Sequence, residues 1–155
     1  MSGDDQMTPA SLTVIARRFA FVRETLGPNR GFWVNKFQRD AGGQDGDSWC
    51  ADFVSYVLDV AYMGKPPLKR TGSTQTLLAE ARAKGYVVDK PAVDCLFFYL
   101  NAADLPHHVG IVTGTSTSGT IGIAGNTSED GQSVNGTGVF EHVISTAHTV
   151  YVRLP

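Results

Sequence analysis

Ser48-Trp49-Cys50-Ala51-Asp52-Phe53-Val54-Ser55-Tyr56-Val57-Leu58-Asp59-Val60-Ala61 is the stretch on which the fold turns. Cys50, Phe53, Val54, Val57, Leu58 and Ala61 recur at i, i+3, i+4 spacing, so the segment reads as a helix with one buried stripe. Ser48 is its expected N-cap, and Gly64-Lys65-Pro66-Pro67 its stop. Upstream, Thr8 as cap and Pro9 at the first position open another helix, whose apolar positions Leu12, Ile15, Ala16, Phe19, Val22 and Leu26 run to Gly27-Pro28. A short helix over residues 32–39 precedes a polar loop from Asp40 to Asp47. Ser73 opens a fourth helix with Leu77, Leu78 and Ala81 inward and Gly85 at its end.

After Pro91 the period changes. Residues 96–100, 109–112, 120–123, 139–144 and 150–153 read as short strands separated by turn chemistry. Helices first and strands afterwards, with no βαβ alternation, predict an α+β fold: N-terminal helices packed on a C-terminal antiparallel sheet of about five strands. The loop from Gly125 to Gly138 is long and polar, and long loops in compact domains are often functional.

At 155 residues the chain is expected to form one domain, 1–155. Its 42% hydrophobic and 18% charged residues exclude a disordered tail or a coiled coil. A net charge of -2 and a pI near 6.0 argue against nucleic acid or an anionic membrane as partner. Cys50 and Cys95 are too few to staple such a domain, and Cys95 reads as a core strand residue. No apolar run approaches the roughly 18 residues needed to span a bilayer. The acidic start, without an apolar segment behind it, predicts synthesis in the cytoplasm without a signal peptide. Gly114 to Gly122 lacks the Gly-Lys-Ser/Thr ending of a phosphate loop, and no Cys-x-x-Cys or His-x-x-x-His suggests zinc.

Chemistry concentrates at three residues. Cys50, at the second position of its helix, faces the positive end of the helix dipole, which predicts a lowered thiol pKa. The plainer alternative is a small core residue on the apolar stripe. A thiolate needs a base, and His108 opens the strand 108–113, sharing one face with Gly110 and Val112; the glycine is expected to leave room for a substrate group. His107 points the other way and is the weaker base, while His142 and His148 read as surface or packing residues. Asn126, in Gly125-Asn126-Thr127 after the next strand, is placed to orient an imidazole, although an Asn after Gly is often only a turn residue.

Ser48 to Val57, then Leu96-Phe97-Phe98, His108-Val109-Gly110-Ile111-Val112 and Gly125-Asn126-Thr127 resemble, in that order, the motifs of the CHAP family. These are papain-like, NlpC/P60-related cysteine amidases and peptidases that cut peptidoglycan. The resemblance extends from about Gly27 to about Ile144 and implies Cys50 as nucleophile, His108 as general base and Asn126 as its orienting partner. Two departures stand out: Val93-Asp94-Cys95 lies where relatives have Gly-Asp, and Asn126 where many have Glu. The backbone N–H of Cys50, which points out of the helix start, is expected to head an oxyanion hole, and Gln44, Trp49 and His107 are the further oxyanion or substrate candidates. No cofactor is expected. Asp45 and Asp47 are the candidate calcium donors, two carboxylates against the roughly six to eight oxygens that calcium takes.

The implied partner is peptidoglycan or its stem peptide, acted on by a monomer in the wall or periplasm after delivery. A phage lysin and an injected antibacterial effector both suit such a domain, the latter with an immunity protein. The rival expectation is a wall- or protein-binding module that kept the motifs without turnover; acyl transfer to an amine is a third.

Overall fold

The computed structural model describes residues 10–155. Four helices come first: α1 Leu12–Arg17, α2 Phe32–Asp40, α3 Cys50–Ala61 and α4 Thr74–Ala83. Six strands follow: β1 Val87–Val88, β2 Leu96–Leu100, β3 Pro106–Ser116, β4 Gly119–Thr127, β5 Gly138–Val143 and β6 Thr149–Val152. They form one antiparallel sheet in the order β1-β6-β2-β3-β4-β5. The fold is α+β as expected, with one strand more. Two-residue β1 is too short to show alternation in sequence.

The stripe of α3 is buried as its spacing requires, and it packs with Val109, Ile111 and Ile123 on one face of the sheet. Each such side chain contributes about 1.5–3 kcal/mol on leaving water. A second cluster, Cys95, Phe97, Val112, Ala124, Ile144 and Tyr151, occupies the other face. Ser73 caps α4, accepting from Thr76 N at 3.1 Å. The hydroxyl of Thr74 donates to Pro106 O at 2.9 Å, fastening the start of α4 to the start of β3.

Two expectations are corrected. The first helix stops at Arg17 and does not reach Leu26; Ser11 caps it, and Thr8 and Pro9 lie outside the described residues. The reason is competition from the sheet. Glu24 N donates to Thr137 O at 2.8 Å and Val139 N to Val22 O at 3.1 Å, so residues 22–24 run along β5 and cover its outer edge. Nor does Ser48 cap α3: the N-cap is Trp49, with no side-chain hydrogen bond, and Cys50 is therefore the first helical residue.

The departure at Val93-Asp94-Cys95 has a structural role. Asp94 takes a left-handed conformation (φ 69°) and its carboxylate accepts from Thr13 N at 2.9 Å and Thr13 Oγ1 at 2.6 Å, tying α1 to the sheet. Cys95 is buried and free, beside β2.

Candidate active site

Cys50 opens α3 with first-turn N–H groups that no N-cap side chain satisfies, the arrangement an oxyanion would use. What holds this end in place is Trp49. Its indole has no exposed surface, stacks on Phe37 with centroids 6.1 Å apart, and donates from Nε1 to Glu24 Oε1 at 3.0 Å. Trp49 is thus a core anchor, correcting its candidacy as a substrate contact. A Cβ on Gly125 would fall 2.6 Å from Trp49 Cζ3, so only glycine lets β4 approach this indole.

Beside that contact the sheet opens. Pairing between β3 and β4 runs as far as Ile111↔Ile123, and the β4–β5 register shifts between Ala124 and Thr127. Asn126 lies in this bulge at φ 54°, a left-handed conformation that Asn tolerates better than most residues. The backbone N–H of Val109 faces the Cys50 sulfur, so the thiol lies against the residue that follows His108. The start of α3 and the backbone of β3 therefore meet at one end of the sheet, while the His108 side chain lies with Tyr99 and Phe97 on the face opposite α3.

His108 is 1% exposed and stacks on Tyr99, with centroids 5.5 Å apart and 28° between planes. Its Nδ1 is buried without a hydrogen-bond partner, and so is Asn126 Oδ1. The two are not bonded to each other. The backbone of Asn126 is fixed separately, its carbonyl accepting from Gly136 N at 2.9 Å. Gly110 does not leave room for substrate as expected: a Cβ there would lie 2.5 Å from Phe97 Cζ, so the space belongs to that ring.

Burial, and not the helix dipole, decides the charge states. It pushes the Cys50 thiol up to about 11, although the N–H groups of Val109 and Ala51 pull the other way; this reverses the expected lowering. Burial likewise pushes His108 down to about 3, helped by the proximity of His107 and His142. The resting pair is a neutral thiol and a neutral imidazole.

Asp52 is the residue that sequence reasoning missed. In the first turn of α3 an acid reads as a solvent-facing dipole partner. Instead Asp52 is 1% exposed, both carboxylate oxygens lack partners, and burial pushes it up to about 7, with Asp47 adding to the rise. Its Oδ1 lies under Gly72, where a Cβ would come within 2.7 Å. Gln38 was also missed. Its position between Phe37 and Arg39 gives no sign that its buried amide donates to Asn29 O at 2.9 Å and Asp47 O at 2.7 Å, bracing the loop before Cys50.

The remaining candidates stand further from this chemistry. Gln44 is exposed, and its backbone N–H donates to Asp47 Oδ2 at 2.9 Å. His107 is exposed on β3, while His148 meets Asp104 at 2.6 Å on the surface. Asp45 is held in two contacts by the Arg39 guanidinium, at 2.6 and 2.9 Å. With one carboxylate neutralised and the other bonded to Gln44, Asp45 and Asp47 do not fit a calcium ion. Among the described residues no three His, Cys, Asp or Glu side chains cluster as metal ligands, and no helix is long and apolar enough to cross a membrane.

The model of the CHAP domain matches residues 20–126, well over half of the chain and inclusive of Cys50, His108 and Asn126. The chain belongs to the CHAP family. This CHAP domain thereby joins a family of cysteine amidases and peptidases associated with peptidoglycan hydrolysis. No curated protein and no solved structure matches it.

Proposed function

We propose that this CHAP domain is a cysteine-dependent peptidoglycan hydrolase that cuts an amide bond of the stem peptide. The observation that carries the reading is the meeting of the uncapped start of α3 with the His108 end of β3, where the Val109 N–H faces the Cys50 sulfur. In this mechanism the His108 ring turns from Tyr99 towards the start of α3, and the thiol proton passes to it as Cys50 Sγ attacks the amide carbonyl. The Cys50 N–H stabilises the oxyanion, and protonated His108 hands its proton to the departing amine. Water, activated by His108, then splits the thioester, releasing a carboxylate and restoring the thiol. Asn126 Oδ1 is the acceptor for His108 Nδ1–H once substrate closes the site. Because both groups rest neutral, the proton transfer accompanies attack and no thiolate accumulates beforehand.

A binding module without turnover is the second reading, favoured by one observation: the thiol is 5% exposed and its pKa is raised. Mass spectrometry of purified peptidoglycan, incubated with wild type and with Cys50→Ala, separates the two. New fragments from wild type alone identify the hydrolase and its bond; intact polymer in both leaves the binding module. The setting we propose is synthesis in the cytoplasm and action on the wall or periplasm, as a phage lysin or delivered effector. An effector would require an immunity protein in the producing cell.

A further inference from the structure

Residues 17–39 hold six cations and a single carboxylate, Glu24, in a chain of net charge -2. Glu24 is engaged by the Trp49 indole. Three of the cations have acidic partners: Arg17 with Glu141, Lys36 with Asp40 and Arg39 with Asp45. Among the described residues Arg18, Arg23 and Arg30 have none, although one nitrogen of the Arg23 guanidinium donates to the carbonyls of Ala20, Val22 and Val139 and the group lies over the Phe140 ring.

The same segment exposes apolar surface. Phe32 is 74% exposed, Leu26 66% and Phe21 62%. Phe32 and Phe21 both stand edge-on to Trp33, at 5.6 and 6.3 Å between centroids. Phe32 forms a ridge between two recesses, one of about 470 Å³ bounded by Leu26, Lys36, Arg39 and Asp40, the other of about 220 Å³ bounded by Phe21, Arg23 and Trp33. Single exposed apolar residues are ordinary, but a contiguous patch with a charged rim marks an interaction surface. A ridge between hollows suits a chain laid across it better than a flat bilayer. The ridge also adjoins the approach to the nucleophile: the Arg30 guanidinium lies against Gly46, and Gln38 of α2 holds Asp47.

We propose that this face is a second binding surface for peptidoglycan, with sugar rings on Phe21 and Phe32 and stem-peptide carboxylates on Arg23 and Arg30. The choice of polymer rests on the reading given under Proposed function. Carboxylates suit the guanidinium fork of the arginines, and the aromatic faces suit the C–H faces of pyranose rings. A strand held here would be led along residues 44–49 towards Cys50.

The test is co-sedimentation with purified insoluble sacculi of wild type, Cys50→Ala and the double variant Phe21→Ser/Phe32→Ser. Both aromatic side chains are mostly solvated, so the double variant should keep the far-UV dichroism of wild type. Wild type and Cys50→Ala are expected to pellet alike, less at high salt, while the double variant loses about fivefold in bound fraction. Its cleavage of soluble stem-peptide fragments should equal that of wild type. Undiminished pelleting of the double variant overturns the surface. So does pelleting with phosphatidylglycerol vesicles but not with sacculi, which reassigns the face to lipid. Sedimentation reads binding without turnover, so a wild type that pellets but cleaves nothing removes the hydrolase reading and leaves the surface standing.

Discussion

Cys50 and Asp52 sit two residues apart at the start of α3, both buried, and a charge on Asp52 raises the cost of charging the Cys50 thiol. A thiol in that position should resist alkylation at neutral pH. Iodoacetamide labelling of Cys50, followed by peptide mass mapping, is expected to accelerate with pH towards about 11. Asp52→Asn removes a negative charge and should move that profile to lower pH. A wild-type midpoint below 7 would mean that the dipole outweighs desolvation. Charge states are also where the residue types misled: position at a helix start was legible, but how much protein closes over that position is set by Trp49, Val109 and other residues distant in sequence.

At the scale of elements, the strands and the stripe of α3 were legible because their periods are enforced by burial on a known face. The packing of α3 on the sheet face of Val109, Ile111 and Ile123 followed from those elements in order. What was not legible came from long-range pairing: α1 ends early because residues 22–24 are taken by β5, and Gly110 serves Phe97 across the β2–β3 ladder. The β4 bulge has two functions to separate, since Asn126 supplies both a left-handed backbone and an amide. Asn126→Gly keeps the backbone and deletes the amide. It should retain wild-type thermal stability within a few degrees and lose at least about tenfold in turnover. Asn126→Ala should add a stability loss of roughly 1 kcal/mol from backbone strain. Full turnover by the glycine variant would leave Asn126 a bulge residue only.

Across the whole molecule, Asp52 and His108 oppose each other in their response to pH. His108, depressed to about 3, contributes stability that is full above its unfolded value of about 6.5 and is lost as pH falls. Asp52, raised to about 7, contributes stability that is full below its unfolded value of about 3.9 and is lost as pH rises through 7. Between about pH 4 and 6.5 the two slopes have opposite signs and partly cancel in wild type. Denaturant midpoints of Asp52→Asn should therefore climb with pH over that window more steeply than those of wild type. If the two proteins run parallel, Asp52 does not titrate in the folded state as its burial requires.

The strand order ties distant stretches of the chain together. Thr149–Val152 lies between β1 and β2, where it pairs with both. Were β6 to detach, β2 would show one bare edge and β1 would lose the neighbour it has in the sheet. Fraying of that one strand would therefore split the sheet in its interior and not at its rim.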